Sequence, residues 1–306
     1  MVADRALLVV VNAAAGSAGD GAVDAALAVL RRGADVEVVG TRTPADLDEV
    51  VAAAGDRRLV VVGGDGSLSS VATALDRAGV LDAGSPLGVV PAGTGNDLAR
   101  ALGLPLDPEE AAAVVLGGVP RRLDVLDDDA GGLVVNAVHA GIGARAGARA
   151  AGLKAALGAA AYPVGAVAAG VAEEGWPLRV EVDGAVVTAA AGAWAADGDR
   201  PVLMAGVCNG PSIGGGSDLA PDADPGDGLL DVVVSVATGP VARAGYAAAL
   251  AAGSHLERED VIRVRGRAVR LSGAPVDLDA DGEIEEAVPA RTWTVRPAAW
   301  SLVVPA

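Results

Sequence analysis

The chain has 306 residues, of which 52% are hydrophobic and 21% charged, and its formal net charge is −17. The length and apolar content are those of an ordinary globular protein with room for two domains. The excess of acidic residues argues against nucleic acid as a partner, because phosphate backbones are bound by basic surfaces. Cys208 is the single cysteine, so an internal disulfide is excluded and a cytoplasmic location is expected.

Neither a secretory signal nor a membrane span is predicted. Asp4 and Arg5 interrupt the apolar start of the chain, unlike the apolar stretch of a signal peptide. The longest uncharged run, residues 155–172, is mostly Ala and Gly and contains Pro163, whereas a span needs about 20 predominantly apolar residues. We therefore interpret this run as a buried or amphipathic helix.

Strands and helices alternate over the first 123 residues. Buried strands are predicted at 6–11, 35–40, 58–63 and 87–90, and helices at 20–32, 44–54, 67–78, 97–102 and 108–116. Strands separated by helices of this length are typical of βαβ units and of a parallel sheet covered on both faces. The expectation is an α/β domain over residues 1–123.

After residue 123 the pattern changes to short strands, several of them alternating apolar and polar residues, joined by Gly, Pro and Asp turns. Helices are predicted only near 144–173 and 240–253. This pattern is typical of an antiparallel β-sandwich, here with a helical insertion. We predict a second domain over residues 124–289, and the last segment, 290–306, can return to the first domain.

The stretch VVVGGDGSLSSV, residues 60–71, places three glycines around Asp65 at the end of a strand. Glycine lets a backbone approach a ligand closely, and the start of the following helix, predicted at Ser67, directs N–H groups at an anion. A tight strand-to-helix connection with Asp65 in a turn fits the same residues. One glycine-rich loop therefore leaves both interpretations open.

A second loop within residues 87–105 favours the ligand-binding interpretation, because it also follows a buried strand and opens a helix. Its junction contains Gly93, Thr94, Gly95, Asn96 and Asp97. Neighbouring parallel strands end at the same edge of a sheet, so Asp65 and Asp97 are expected to face one site lined by backbone donors. Carboxylates beside phosphate groups require a cation between them, and Mg²⁺ prefers such oxygen ligands.

The residues GGDGS, followed by PAGTGNDLAR, resemble the catalytic domain of the bacterial diacylglycerol kinase and lipid kinase family. Further stretches extend the resemblance over nearly the whole chain: LKAALGAAAY at 153–162, LAPDADPGDGLLDVVV at 219–234 and DADGE at 279–283. The resemblance implies a nucleotide-binding α/β domain similar to phosphofructokinases and a C-terminal β-sandwich for the lipid. It also implies ATP and Mg²⁺ in the cleft between these domains.

The resemblance implies roles for individual residues. Asp281, Asp65 and Asp97 are expected to be catalytic, with Asp281 as the general base that accepts the hydroxyl proton. Contacts with the nucleotide and its magnesium are expected from Asn12, Thr41, Gly63, Gly64, Gly66, Ser67, Gly93, Thr94, Asn96 and Glu283. A structural magnesium site is expected at Asp224, Asp227 and the carbonyl oxygen of Leu229.

Other interpretations of the acidic stretch near residue 281 stay open. Residues 277–282, DLDADG, have the spacing of the opening of an EF-hand loop, but Val288 occupies the twelfth position, where a bidentate Glu is needed. From the residues alone, Asp281-Gly282 is also a common hairpin turn. His139 alternates with apolar neighbours and is interpreted as a structural strand histidine.

The expected function is ATP- and Mg²⁺-dependent phosphorylation of a lipid hydroxyl, with diacylglycerol as first choice, during transient peripheral contact with a membrane surface. The chain departs from the family pattern at Ala13, where a Pro is usual, at Ser67, where a Thr is usual, and at Ala144, where an Asp is expected. A kinase for a different lipid, or a nucleotide-binding regulator with weak or lost turnover, is therefore kept as an alternative. Homodimer formation is left open.

Overall fold

In a computed structural model of the protein, the described residues are 6–12, 20–82, 85–142, 144, 175–187 and 200–306. The chain divides into two compact units: unit 1 comprises Met1–Val125 and Arg296–Ala306, and unit 2 comprises Leu126–Val295. The helical insertion was predicted near 144–173 and includes the uncharged run 155–172. Apart from Ala144, it lies outside the described residues. No helix within the described ranges is both long and apolar enough to cross a membrane.

Unit 1 is built on a four-stranded parallel sheet. The strands are β1 (Ala6–Asn12), β2 (Asp35–Thr41), β3 (Arg58–Gly63) and β4 (Gly88–Pro91). The helices are α1 (Asp20–Gly33), α2 (Pro44–Ala53), α3 (Asp65–Arg77), α4 (Asp97–Ala101) and α5 (Pro108–Gly117). The strand order is β2-β1-β3-β4, and every residue of β3 and β4 is buried, as is typical of parallel strands covered on both faces.

Local sequence signals explain where two of these helices begin. At α2, Thr43 and Asp46 form a capping box and Pro44 occupies the first turn. At α5, the Asp107 side chain accepts the N–H groups of residues 109 and 110. These starts agree with the sequence-predicted ones.

The start of α3 differs from the prediction. This helix begins at Asp65 rather than at Ser67, with Gly64 as its extended N-cap. The glycine-rich residues suggested a loop, yet an acidic residue in the first turn stabilises a helix. Asp65 therefore belongs to the helix, and its side chain leaves from the first turn.

Unit 2 is formed mainly by antiparallel strands that begin with β5. The strands are β5 (Val119–Asp128), β6 (Leu133–Val134), β7 (Ala137–Gly141), β8 (Trp176–Val182), β9 (Ala185–Val186), β10 (Arg200–Val202), β11 (Met204–Cys208), β12 (Ser212–Ile213), β13 (Ser217–Asp218), β14 (Leu230–Ser235), β15 (Val261–Gly266), β16 (Ala268–Ala280) and β17 (Glu283–Val304). Helix α6 (Pro240–Ala251) and a 3₁₀ turn (His255–Glu257) lie between β14 and β15. The main sheet has the order β15-β14-β11-β7-β16-β17-β5-β6.

The long strand β16 connects two groups of strands in unit 2. Residues 269–273 pair with β8, whereas residues 278–280 pair with β7, and the register of β16 against β17 shifts in between. Such shifts bend a strand and increase its twist. Apolar side chains from both groups, including Leu230, Val232 and Trp293, form one buried core.

Two strands have residues in both units. β5 passes the boundary after Val125 and β17 passes it after Val295. The end of β17 then joins unit 1, where Leu87 donates its N–H to the Ser301 carbonyl oxygen at 2.9 Å and accepts the Val303 N–H at 2.8 Å. Unit 1 is therefore completed by the last residues of the chain.

Candidate functional site

The two glycine-rich loops of unit 1 touch each other. They follow β3 and β4, which are parallel neighbours, and the Ala92 N–H donates to the Gly63 carbonyl oxygen at 3.0 Å. A Cβ atom on Gly93 would lie 2.5 Å from the Cα of Gly64, and one on Gly64 would lie 2.9 Å from the Cα of Gly93. Any side chain at either position would push the loops apart, so both residues need to be glycine for this contact.

Asp65 links the two loops through its carboxylate. Oδ2 accepts the Asp97 N–H at 2.8 Å and Oδ1 accepts the Leu98 N–H at 3.1 Å. These N–H groups belong to the first turn of α4, where backbone donors have no partner within the helix. The N-cap residue, Asn96, has a φ of 53° and provides no side-chain cap. Asp65 thus caps α4 from the other loop.

Asn96 has a local role in the second loop. Its Oδ1 accepts the Gly93 N–H and its Nδ2 donates to the Gly93 carbonyl oxygen, both at 2.9 Å. A left-handed backbone is tolerated better by Asn than by most residues. Asn96 therefore fixes the loop that carries Thr94, which is itself exposed.

The environment of Asp65 fits a cation. Burial, together with the nearby negative charge of Asp97, raises the pKa of Asp65 to about 6, although the N–H bonds from Asp97 and Leu98 oppose this shift. Asp97 is itself buried. Two neighbouring carboxylates form a suitable donor set for a hard divalent ion such as Mg²⁺.

The start of α3 offers N–H groups to an anion. Its N-cap, Gly64, supplies no side-chain hydrogen bond, so the donors of the first turn, which contains Gly66 and Ser67, are not capped as those of α4 are. The missing side chain at Gly63 makes room for Ser67, since a Cβ there would lie 2.5 Å from the Ser67 Oγ. A helix start of this kind binds phosphate groups.

Asn12 and Thr41 lie at the ends of neighbouring strands. They are the last residues of β1 and β2, and they face each other in the parallel register. All four strands of the sheet run in the same direction, so both residues are at the sheet edge from which the glycine loops leave. Nucleotide contact by Asn12 and Thr41 stays a prediction.

Asp281 occupies a two-residue hairpin turn in unit 2. It lies between β16 and β17, where Ala280 pairs with Glu283, and φ is 51° for Asp281 and 92° for Gly282, as in a type I′ turn. Three consecutive N–H groups donate to its carboxylate: that of Val135 to Oδ2 at 2.7 Å, and those of Asn136 and Ala137 to Oδ1 at 3.0 Å each. The carboxylate is therefore fixed in one orientation.

The hairpin also explains the acidic spacing of residues 277–282. Asp277 Oδ1 accepts the Ala287 N–H at 3.1 Å, and Asp279 Oδ1 accepts the Gly282 N–H at 2.8 Å. Asp279 lies opposite His139 of β7, with 3.6 Å between its Oδ2 and the histidine Nε2. The carboxylates of Asp277 and Asp279 thus accept backbone N–H groups of the hairpin, and the stretch forms a β-turn and not a calcium loop. Glu283 is exposed at the start of β17.

The acidic loop before β14 contains internal hydrogen bonds. Asp224 accepts the Gly226 N–H and Asp227 accepts the Leu229 N–H, both at 3.0 Å. Arg265 forms an ion pair with Asp227, so a protein side chain already supplies positive charge there. Magnesium binding by Asp224, Asp227 and the Leu229 carbonyl oxygen stays a prediction. Among the residues described, no three His, Cys, Asp or Glu side chains are grouped so as to hold a metal ion.

Sequence reasoning missed two buried asparagines beside the Asp281 turn. Asn209 Nδ2 donates to the Val135 carbonyl oxygen at 2.7 Å, and Asn136 Nδ2 donates to the Ser212 carbonyl oxygen at 3.0 Å. Both residues are buried. The sequence offered one indication of them, because each Asn directly follows an apolar run, in VVN at 134–136 and in VCN at 207–209. A polar side chain that is buried at the end of such a run must find hydrogen-bond partners.

Comparison with known families identifies both parts of the chain. Residues 6–127 match the family model described as "Diacylglycerol kinase catalytic domain". Residues 136–304 match the one described as "YegS C-terminal NAD kinase beta sandwich-like domain". The two matches together extend over most of the sequence.

Curated proteins and solved structures with full-length similarity agree with these matches. A Stenotrophomonas maltophilia protein named "Probable lipid kinase YegS-like" is 34% identical over 80% of this chain and 82% of its own length. A Mycobacterium tuberculosis protein named "Diacylglycerol kinase" is 30% identical over 90% of this chain and 86% of its own. A crystal structure of a diacylglycerol kinase from Bacillus anthracis str. Sterne has a TM-score of 0.74 at 22% identity, over 98% of this chain and 97% of its own, and so shows the shared fold. The chain is thus a kinase that belongs to the family of diacylglycerol kinase catalytic domains with a YegS-type C-terminal domain.

Proposed function

We propose that the protein transfers the γ-phosphoryl group of ATP to a lipid hydroxyl in a Mg²⁺-dependent reaction, with diacylglycerol as the first candidate and phosphatidic acid as its product. One observation carries the proposal: the Gly64–Gly93 contact, together with the bonds from the Asp65 carboxylate to the first turn of α4. This geometry supports a site in which backbone amides bind phosphate groups and carboxylates bind the Mg²⁺ that accompanies them. The chain contains a single lysine, Lys154, which agrees with such a site.

In unit 1, the N–H groups at the start of α3 would bind the nucleotide phosphates, and Asp65 and Asp97 would hold Mg²⁺. Magnesium, when bound, neutralises the charge of the phosphates and orients them. The raised pKa of Asp65 supports this assignment, because a bound cation stabilises the ionised carboxylate. Asn96 keeps the second loop in place through its bonds to Gly93.

In unit 2, Asp281 accepts the proton of the lipid hydroxyl. As the oxygen of the substrate forms its bond to the γ-phosphorus, the bond from that phosphorus to ADP breaks and the hydroxyl proton passes to the Asp281 carboxylate. Proton acceptance by a positioned side chain contributes about 10²- to 10⁴-fold to such reactions. The three N–H bonds to Asp281 support this role, since they hold the acceptor in a single orientation.

The lipid and the membrane contact belong to the same proposal. The relative from M. tuberculosis carries the name diacylglycerol kinase, whereas that from S. maltophilia is named for lipids in general. A substrate with acyl chains resides in a membrane, so we propose transient peripheral contact with the bilayer surface. The acidic composition limits attraction to anionic lipids, which makes this contact local.

The proposal is tested with purified protein, labelled ATP, Mg²⁺ and mixed micelles that contain diacylglycerol. Labelled phosphatidic acid, identified by mass spectrometry and absent when EDTA is added, is the expected product. A parallel assay with sphingosine, ceramide and a total cell lipid extract reveals a different acceptor. Thermal stabilisation by ATP and Mg²⁺ without transfer to any lipid would contradict the proposal and favour a nucleotide-binding regulator.

A further inference from the structure

We propose that Asn209 is a positioning residue for Asp281. It follows the last residue of β11, and it binds the segment Val135–Ala137, which in turn donates three N–H groups to the Asp281 carboxylate. The inference rests on the proposed function, in which Asp281 accepts the substrate proton. Asn209 would thus influence proton transfer to Asp281 by holding the segment Val135–Ala137, and not by contact with the substrate.

The carbonyl groups of this segment show how it is held. Asn209 Nδ2 donates to the Val135 carbonyl oxygen at 2.7 Å, and the Asn209 N–H donates to the Asn136 carbonyl oxygen at 2.8 Å. The Gly210 N–H donates to the same Asn136 oxygen at 3.0 Å. Two successive carbonyl groups are thus bound by residues 209–210, while the N–H groups of the segment are bound by Asp281.

Such an arrangement requires a backbone that is not extended. In a β-strand, successive N–H groups point to opposite sides, whereas here three consecutive ones converge on one carboxylate. Consecutive N–H groups that converge in this way form an anion-binding nest. The nest lies in the break between β6, which ends at Val134, and β7, which begins at Ala137. Its conformation therefore depends on bonds from outside the strand ladder.

The side chain of Asn136 fixes the same segment from within. Its Nδ2 donates to the Ser212 carbonyl oxygen at 3.0 Å, and its Oδ1 lies against Gly210, where a Cβ atom would be only 2.2 Å away. Residues 209–212 and the nest therefore pack as one unit. Glycine at 210 is what allows this close approach.

Burial makes the Asn209 bond important for the conformation. Val135, Asn136 and Asn209 are 0%, 4% and 1% exposed, so water cannot readily replace a lost protein partner. A buried carbonyl group without a donor is unfavourable, and the nest would relax to find one. The carboxylate of Asp281 would then lose N–H bonds that fix its orientation and stabilise its ionised form.

The test compares the wild-type protein with Asn209→Ala and with the milder Asn209→Ser, which serves if the alanine variant does not fold. We expect kcat to fall about 10- to 100-fold, as is typical for residues that orient a catalytic group, while the KM for ATP stays within about twofold. A merely structural role would change the melting temperature but not kcat.

The matched control is Trp300→Phe, which removes another buried donor to a backbone carbonyl group. The Trp300 indole N–H donates to the Asp124 carbonyl oxygen at 3.3 Å, and the side chain is fully buried. This variant should lower the melting temperature and leave kcat unchanged. Equal loss of kcat in both variants would overturn the positioning role.

A second measurement is independent of turnover. Hydrogen exchange of the amides of residues 135–137 should be slow in the wild-type protein and at least about fivefold faster in the Asn209 variants, which is the change that a lost bond of about 1 kcal/mol produces. Unchanged exchange at these amides would overturn the inference. Absence of lipid phosphorylation by the wild-type protein would instead contradict the proposed function, and the exchange measurement would still decide whether Asn209 holds the nest.

Discussion

Unit 2 contains two Asp-Gly turns with nearly the same backbone. Asp183 and Gly184 have φ values of 50° and 80°, and Asp281 and Gly282 have 51° and 92°. Each aspartate uses its carboxylate to accept N–H groups from another segment: Asp183 accepts those of residues 267 and 268, and Asp281 accepts those of residues 135–137. Each also donates its own N–H to a carbonyl oxygen of the segment that it binds.

The surroundings of the two turns differ. Asp183 is exposed and accepts from the exposed Arg267, whereas the segment that holds Asp281 is buried and fixed by Asn209. Only the turn at 281 has a buried neighbouring acid, Asp279, that binds the glycine of the turn. The comparison shows that two Asp-Gly turns with the same backbone can differ in the buried polar residues behind them, and the proposed role of Asp281 depends on that difference.

The sharpest test of this difference is to replace both aspartates by the isosteric amide. Asp281→Asn should lower kcat about 10²- to 10⁴-fold, because the amide cannot accept the substrate proton, while ATP binding measured by calorimetry stays within about twofold. Asp183→Asn, the matched control, should leave kcat unchanged. Similar activity of the two variants would remove Asp281 from the role of base.

A substitution in unit 1 should produce a loss of a different kind. In Gly93→Ala the new Cβ meets the Cα of Gly64 at 2.5 Å, and overpacking of this type costs about 1–3 kcal/mol. We expect a lower melting temperature and an ATP affinity reduced at least about tenfold, in contrast to Asp281→Asn. Gly21→Ala is the control, since a Cβ there meets nothing within 4 Å and alanine stabilises a helix by about 0.5–1 kcal/mol.

Asp65 allows a test of a carboxylate that is held by N–H bonds yet resists ionisation. Its pKa is raised to about 6, above the value of about 3.9 in an unfolded chain. The free energy of unfolding should therefore fall as pH rises from about 4 to about 6 and then level off. Asp65→Asn removes this ionisation, but it also replaces one of the two oxygens that accept N–H groups by a donor. Relative to the wild type, the variant should therefore gain about 2 kcal/mol of stability between pH 4 and pH 7 without Mg²⁺. Thermal melts at both pH values check this, and a stability difference that does not change with pH would contradict it.

The smallest expected effect is at the exposed turn. Asp183→Ala removes the acceptor for two N–H groups and places alanine at a φ of 50°, where Asp is better tolerated. We expect a loss of about 1 kcal/mol in the free energy of unfolding, measured by denaturant titration, with no change in kcat. A fall in kcat of Asp183→Ala would contradict the expectation that only the turn at Asp281 takes part in the reaction.

Much of unit 1 could be predicted because its signals are local. Apolar runs predicted the strands, and the predicted helix starts at Pro44 and Pro108 are confirmed by the structure. The start of α3 was predicted at Ser67 because glycines suggest a loop, whereas the helix begins at Asp65. The order of parallel strands placed the two glycine loops together, but no local pattern indicates that Asp65 binds the N–H groups of α4.

The environment of Asp281 could not be predicted, because its partners are distant in the sequence. Residues 135–137, 209 and 281 are brought together only when β7, β11 and β16 assemble, and single-sequence periodicity contains no information on such pairing. The same limit explains why the turns at 183 and 281 look alike in the sequence. The structure distinguishes them by burial and by the side chains behind each turn.

The return of β17 to unit 1 has a consequence for biosynthesis. During synthesis Leu87 precedes the whole of unit 2, and it finds its backbone partners, Ser301 and Val303, only after unit 2 has been made. At about 5–20 residues per second, the whole of unit 2 is made in between, which takes roughly ten to thirty seconds. Most of unit 1 is therefore synthesised before unit 2, but its last strand is added only after unit 2.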